Sequence, residues 1–264
     1  ANKIMRIALC VEYNGSNYFG WQKQKIHKEK TIQYYVDKAI SKIADEEINT
    51  VCAGRTDTGV HALRQIIHFD TSKRRHDYKW LNGINSNLPD DIFVKTIHHV
   101  NDKFHARYSA LDRTYSYIIL NQKNPSTHLL NNVLHFNQKI NISKIRSSFK
   151  YLKGKKNFSS FRSSGCSAQS PVKEIKRISI KKNNNFIIIQ VTANSFLYHM
   201  VRNIIGILLD IGISKHDPDY MNVLINSLDR KKCGKMVSAT GLYLQNISYP
   251  KEYNINSIGE SFIF

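Results

Sequence analysis

The densest group of chemically capable side chains lies in nine consecutive residues, Gly54-Arg55-Thr56-Asp57-Thr58-Gly59-Val60-His61-Ala62. This segment places a guanidinium, a carboxylate and two hydroxyls between two glycines, directly after a short apolar run. Glycine lets a backbone turn tightly and approach a ligand closely. A carboxylate fixed in such a turn can act as a nucleophile or as a base.

The spacing within this segment supports two interpretations. In an extended backbone Arg55 and Asp57 share one face, as a catalytic pair requires. A glycine-flanked aspartate after a strand is, however, more often a turn residue that bonds its own backbone, and Arg55 then is a surface cation. On spacing alone the structural interpretation is favoured, so the rest of the chain must decide. His61 is excluded from the predicted site, because a histidine beside a turn is more often structural.

The charge of the chain indicates a polyanionic partner. The 264 residues carry a formal net charge of +19, with a pI near 9.7. Nucleic acid is favoured over a membrane surface, because the chain has no basic amphipathic helix with a wide apolar face and no long uncharged apolar stretch. Arg6 and Glu12 interrupt the apolar start of the sequence, so we expect a strand there and no signal peptide.

The cysteines predict neither a metal site nor a disulfide framework. Cys10, Cys52, Cys166 and Cys233 are widely scattered and form no C-x-x-C pair. This usage fits a reducing cytoplasm. We expect no metal and no cofactor.

Apolar periodicity predicts the elements that must position these residues. Strand character covers 4–13, 48–53, 64–70, 92–98, 113–120, 172–180, 186–192 and 241–247, and helical periodicity covers 31–43, 78–87, 143–152, 193–209 and 217–228. Asn194 or Ser195 is the predicted N-cap of the fourth helix. The mixture of helices with mostly antiparallel strands predicts an α+β class. We place a boundary between two related lobes after residue 108, giving lobes 1–108 and 109–264.

Several blocks along the chain carry a resemblance to a known family. They are Gly20-Trp21-Gln22, residues 54–62, Phe104-His105-Ala106-Arg107, Arg113-Thr114-Tyr115, Phe158-Ser159-Ser160-Phe161, residues 196–206 and Gly241-Leu242-Tyr243-Leu244. In this order and with these gaps, the chain resembles the TruA family of tRNA pseudouridine synthases across nearly its whole length. The resemblance implies a pseudouridine synthase fold, two α+β lobes that share a mainly antiparallel mixed sheet with a central cleft, and a homodimer that binds tRNA.

The same resemblance assigns site residues one by one. Asp57 matches the catalytic aspartate, Arg55 its nearby arginine, Tyr115 the tyrosine that packs on the target base, Arg202 a cleft arginine, and Leu242 an apolar residue lining the base pocket. The expected reaction is the isomerisation of uridine in the tRNA anticodon stem-loop, at positions 38, 39 and 40. Three residues depart from the family pattern: Thr58 stands beside the catalytic residue, Tyr34 at the first helix, and Ser238-Ala239-Thr240 before Gly241.

The chemistry explains why these residue types are needed. An ionised carboxylate can attack the ribose C1′ or the base, or remove the C2′ proton to give a glycal, and the sequence does not choose among these routes. Either Arg55 or Arg202 is the predicted partner that keeps Asp57 charged. The target base must leave its stack, and the face of Tyr115 can replace the lost stacking.

The remaining basic residues and the alternatives complete the prediction. Phosphate contacts are expected from Lys23, Lys25, Lys28, Arg74 and Arg75. The alternative from another class is a non-catalytic tRNA-binding protein or folding chaperone of the same fold. A nuclease is disfavoured, because the sequence shows no carboxylate cluster for a metal and no histidine pair.

Overall fold

The computed structural model describes residues 4–255, and contacts along the chain group them into two units. Unit 1 comprises residues 4–111 and 243–255, and unit 2 comprises residues 112–242. Both units combine helices with sheet, which confirms the predicted α+β class. The assignment of functional lobes 1–108 and 109–264 stays a prediction.

Within its described residues, unit 1 contains five strands and two α-helices. In chain order they are β1 (Met5–Tyr13), α1 (Ile32–Ala44), β2 (Val51–Cys52), β3 (His61–Thr71), α2 (Asp77–Asn85), β4 (Ile92–Val100) and β10 (Leu242–Ser248), the first residue of β10 belonging to unit 2. Strand β1 pairs antiparallel with both β3 and β4. Strand β3 also pairs antiparallel with β2, and parallel with β10 through Tyr243 opposite His61.

Unit 2 contains a second group of five strands and three α-helices among its described residues. They are β5 (Asp112–Asn121), β6 (Leu134–Phe136), α3 (Ile142–Leu152), β7 (Gly154–Asn157), β8 (Val172–Asn183), β9 (Phe186–Ala193), α4 (Met200–Gly212) and α5 (Tyr220–Ser227). Strands β5, β9, β8 and β7 pair antiparallel in that order, and β6 pairs parallel with β5. The predicted hairpin is present as β8 and β9, with Asn184 in the left-handed conformation at its turn.

The buried faces follow from the sequence pattern. Five consecutive residues of β1, 7–11, are fully buried, as are the α1 residues Ile32, Val36 and Ile40. Trp80 of α2 packs edge-to-face on Phe69 of β3, with 5.8 Å between the ring centroids. These contacts make β3 a rigid support for the loop that precedes it.

Two predicted elements differ from the structure. The fourth helix begins at Met200, because the side chain of Asn194 accepts hydrogen bonds from the backbone N–H groups of Glu174 and Ser195, at 3.0 and 2.8 Å, and so ties β9 to β8. Neither Asn194 nor Ser195 is therefore its N-cap. The predicted strand 48–53 is reduced to Val51–Cys52. Among the described residues, no helix combines the length and the apolar character needed to cross a membrane.

Candidate active site

Asp57 lies in the loop that joins β2 to β3, as the sequence predicts. Its side chain is half-buried, whereas the preceding residue Thr56 is buried and the flanking Arg55 and Thr58 are exposed. The backbone closes a turn after the aspartate, where Val60 N–H donates to the Asp57 carbonyl at 3.1 Å. The loop thus presents the carboxylate from a fixed backbone.

Gln65 of β3 holds the start of this loop. Its side chain is fully buried, and its Nε2 donates to the Gly54 carbonyl at 2.5 Å while its Oε1 accepts from the Gly54 N–H at 3.4 Å. The carboxamide thereby satisfies both backbone groups of Gly54 after the short β2 pairing ends.

Thr56 anchors the backbone directly before Asp57. Its hydroxyl shares a buried hydrogen bond with the hydroxyl of Tyr13, with the two oxygens 2.7 Å apart, and its carbonyl accepts from the N–H of Trp21 at 3.0 Å. The adjacent Gly20 has φ +83°, and a Cβ at this position would lie 2.5 Å from the Thr56 carbonyl oxygen. The Gly20-Trp21 block is needed because only glycine allows this close approach.

His61 contacts two other segments of unit 1, and its exclusion from the catalytic residues stays a prediction. Its Nδ1 accepts from the N–H of Gly15 at 3.0 Å, and its ring stacks on Tyr243 of β10 with 4.6 Å between centroids. The side chain is almost fully buried. A ring nitrogen that already accepts a backbone proton is not available as a general base.

Arg55 does not pair with Asp57. Its guanidinium is exposed and makes no hydrogen bond or ion pair to any described residue. It does act electrostatically on Cys52: burial raises the pKa of this thiol, and the charges of Arg55 and Arg107 oppose the increase. The role of Arg55 in the site, and Arg202 as the partner of Asp57, stay predictions.

Tyr115, Arg202 and Leu242 belong to unit 2. Tyr115 is half-buried in β5, opposite Val191 of β9, and packs edge-to-face on Phe196 with 5.1 Å between centroids. Arg202 lies in the first turn of α4, where its Nε donates to the Val237 carbonyl at 2.9 Å. Burial, followed by the charges of Arg202 and Arg230, lowers the pKa of His199 to about 4.

Leu242 is buried at the start of β10 and follows a close backbone contact. A Cβ on Gly241 would lie 2.6 Å from the Ile118 carbonyl oxygen and 3.0 Å from the Tyr117 ring. The hydroxyl of Tyr117 donates to the Ser238 carbonyl at 2.7 Å, and Ser238 Oγ accepts from the Thr240 N–H at 3.3 Å. These bonds fix the segment 238–241, in which the chain departs from the family pattern.

The predicted phosphate-binding residues differ in their surroundings. Lys25 and Arg74 are exposed and have no bonded partner within residues 4–255, and Arg75 is exposed but donates to the Ile43 carbonyl at 2.7 Å. Lys23 forms an ion pair with the buried carboxylate of Asp37 at 2.5 Å and donates to Asn49 at 3.0 Å. The charge of Lys23 is thus already neutralised by the protein.

Comparison with known proteins decides the family. The sequence profile described as tRNA pseudouridine synthase matches residues 9–109 and 149–250. A tRNA pseudouridine synthase A of Buchnera aphidicola subsp. Schizaphis graminum is 45% identical over 261 residues, which cover 99% of this chain and 98% of the relative. One from Vibrio campbellii is 41% identical over 251 residues, covering 95% and 94%. The chain belongs to the tRNA pseudouridine synthase family.

This family is one of isomerases, and its blocks cover most of the predicted site. Arg55 and Asp57 fall within the first matched segment and Arg202 and Leu242 within the second, whereas Tyr115 lies between them. A solved archaeal box H/ACA sRNP Nop10-Cbf5 complex is 12% identical with a TM-score of 0.34, covering 77% of this chain and 43% of that one, a likeness too weak to add to the assignment.

Sequence reasoning missed the residues that support the family's aspartate loop. Tyr13 and Gln65 look like ordinary strand residues, and their partners lie 43 and 11 positions away. The only available signal was a polar side chain at an inward position of an otherwise apolar strand. Within the described residues, no group of three or more His, Cys, Asp or Glu side chains could hold a metal ion.

Proposed function

We propose that this protein isomerises uridine to pseudouridine in tRNA, with Asp57 as the catalytic carboxylate. One observation carries the assignment of Asp57: the segment on its N-terminal side is held by hydrogen bonds to Tyr13, Trp21 and Gln65. A turn with a merely structural aspartate does not need such support from three separate elements. Preorganisation of this kind is what a reacting group requires.

The reaction breaks the N1–C1′ bond of uridine, turns the base, and joins C5 to C1′, and the C5 proton then moves so that no atom is gained or lost. The ionised Asp57 starts this sequence at C1′, at the base or at the C2′ proton. We propose that Tyr115 stacks on the displaced base, that Leu242 lines its pocket, and that Arg55 and Arg202 supply positive charge. Lys25, Arg74 and Arg75 contact phosphates.

The resemblance extends the proposal to the substrate site and to the assembly. We propose uridines 38, 39 and 40 of the anticodon stem-loop as targets, a homodimer as the tRNA-binding form, and the cytoplasm as the location. Sequencing of pseudouridines in total tRNA from cells with and without the protein tests the positions. Light scattering of the purified protein tests the dimer.

Asp57→Asn is the central test. The amide keeps the size of the side chain but cannot supply a negative charge, so the variant is expected to fold and to bind tRNA without forming pseudouridine. Product is measured by nucleoside mass spectrometry after chromatographic separation, and folding by circular dichroism. Turnover near the wild-type rate would show that Asp57 is not the catalytic group.

Two further outcomes separate this function from the alternatives. A non-catalytic chaperone binds tRNA, but the wild-type protein then leaves every uridine unmodified. The proposed chemistry needs only protein side chains, so EDTA added to a metal-depleted, folded tRNA transcript is expected to leave the single-turnover rate unchanged. A rate that falls with EDTA and recovers with added Mg²⁺, while tRNA folding stays constant, would contradict a metal-independent reaction.

A further inference from the structure

The segment 104–108, here called the 104–108 loop, has no role in the proposed chemistry. Phe104 and Ala106 are fully buried, but the adjoining Arg107 is exposed and the Tyr108 side chain is 76% exposed. A large aromatic side chain that stays exposed does not gain the free energy that burial of its apolar surface would give. Hydrogen bonds from neighbouring side chains hold the loop in the conformation that exposes this ring.

Three side chains fasten the loop to unit 1. Arg6 of β1 donates through Nη1 to the carbonyls of Asp102 and Phe104, at 2.7 and 2.8 Å. His68 of β3 accepts the Ala106 N–H at its Nδ1, at 3.1 Å, and the hydroxyl of Tyr249 donates to the Ala106 carbonyl at 2.6 Å. The backbone beside Arg107 and Tyr108 is therefore held in one conformation.

The tip of the loop is ordered by its own histidine. Nδ1 of His105 accepts the N–H groups of Arg107 and Tyr108, at 3.1 and 3.2 Å. Burial and the charges of Arg6 and Arg107 lower the pKa of His105, which keeps the ring neutral and able to accept these bonds. Its ring also packs on that of Tyr108 with 4.3 Å between centroids, and Arg107 lies 5.6 Å from the same ring.

The loop belongs to the same region of unit 1 as the catalytic loop. The guanidinium groups of Arg107 and Arg55 both act on the thiol of Cys52, the last residue of β2. His68, which accepts the Ala106 N–H, lies opposite Val51 of β2, and Arg55 is two residues before Asp57. An exposed aromatic ring beside a cation is the combination that proteins use to hold unstacked bases.

We propose that Tyr108, supported by His105 and flanked by Arg107, is a stacking platform for an unpaired nucleotide of the bound tRNA. The proposal rests on the proposed function for the identity of the RNA. Arg107 contacts a backbone phosphate, and the tyrosine ring takes up the base of a loop nucleotide. Because the loop is fixed before binding, ordering it costs little conformational entropy.

The test compares three variants by fluorescence anisotropy with an unmodified tRNA transcript and with a stem duplex that lacks loop nucleotides. Tyr108→Ala is expected to raise the Kd for the tRNA about 5-fold to 100-fold and to leave the Kd for the duplex unchanged. Tyr108→Phe keeps the ring and is expected to bind as the wild type does. Phe93→Ala removes another exposed aromatic side chain of unit 1, on β4, and serves as the matched control.

Two results would overturn the platform. One is an unchanged Kd of Tyr108→Ala for the tRNA; the other is an equal loss for the tRNA and for the duplex. A change in oligomeric state of Tyr108→Ala in light scattering would instead assign the ring to a contact between copies of the chain, and would also reject the proposal. These binding results are independent of catalysis: wild-type protein that forms no pseudouridine refutes the proposed function, and the three Kd values still decide the platform.

Discussion

Thr56 fixes the position of the residue that follows it. The side chain is buried, its hydroxyl is bonded to Tyr13, and its carbonyl is bonded to the backbone of Trp21. Because Asp57 is the next residue, the same bonds hold its backbone in place. Under the proposed function Thr56 is a positioning residue, which acts on the reaction only through the aspartate.

Thr56→Val retains the side-chain shape and removes the hydroxyl, so the Tyr13 hydroxyl loses its partner. A lost buried hydrogen bond costs about 1 to 3 kcal/mol. If part of this appears in the barrier, single-turnover pseudouridine formation should slow roughly 10-fold. The Kd for tRNA should change little.

Thr56→Ser is the matched control, because it removes the methyl group and keeps the hydroxyl. Its rate is expected to stay near that of the wild type. Equal rates for the Val and Ser variants would show that the hydrogen bond to Tyr13 does not position Asp57, and thermal unfolding of both variants separates an effect on rate from an effect on stability.

For single residues, the sequence predicts which side chains belong to the candidate site better than it predicts which residues they are bonded to. The residues around Asp57 can be recognised from the sequence because a cation, a carboxylate and two hydroxyls lie close together in the chain. Tyr13, Gln65 and Asp37 do not, because their significance depends on partners that the fold brings to them. Lys23 illustrates the limit, since nothing in its basic neighbourhood indicates that its charge is paired with Asp37.

Among the elements, those with a clear apolar period agree with prediction and those defined by polar bonds do not. Strand β1, helix α1 and the β8–β9 hairpin have nearly the predicted bounds. The start of α4 is displaced because Asn194 bonds to Glu174 on a neighbouring strand. Propensity describes one segment at a time and cannot include this competing bond. The strands β6 and β7 are absent from the prediction because, with 3 and 4 residues, they are too short to show an apolar period.

His68 links β3 to the 104–108 loop and makes this link sensitive to pH. Burial, Arg6 and His105 lower its pKa to about 4, against the opposing effect of Asp70. The unfolded chain binds a proton near pH 6.5 and the folded chain does not. The stability from neutral His68 is therefore complete above pH 6.5 and is lost as the pH falls toward 4.

His68→Gln removes this titration. Between pH 7.5 and pH 5, the free energy of unfolding of the wild type should decrease by about 1 to 2 kcal/mol more than that of the variant. Urea unfolding at both pH values measures the difference. Parallel pH dependences for the two proteins would show that His68 does not titrate with unfolding.

At the scale of the whole molecule, the net charge of +19 indicates that the partner is a polyanion, but it does not identify the residues that contact it. Charge that is paired inside the protein releases no counterions when RNA binds. Lys25 and Lys23 therefore differ, although they are two residues apart in one basic segment. Lys25 is exposed, and the ammonium of Lys23 is bonded to Asp37 and Asn49.

Lys25→Gln is expected to reduce the slope of log Kd for tRNA against log salt concentration by about one. Lys23→Gln is expected to leave this slope unchanged and to lower the melting temperature, because it leaves the carboxylate of Asp37 buried without its cation. Anisotropy titrations at several salt concentrations and thermal unfolding provide both values. A smaller slope for Lys23→Gln would identify that lysine as a phosphate contact after all.

The chain leaves unit 1 after Leu111 and returns to it at Tyr243, so the two parts of unit 1 are synthesised at different times. Residues 4–111 leave the ribosome before unit 2 does, but β10 follows only after the contiguous residues of unit 2. His61 and Tyr243 are 182 positions apart in the chain, so the strand that pairs with His61 is synthesised long after His61 itself. A nascent chain that ends before Tyr243 already contains Tyr13, Trp21 and Gln65, which hold the residues before Asp57. The stacking of Tyr243 on His61 is added only after residue 243 has been synthesised.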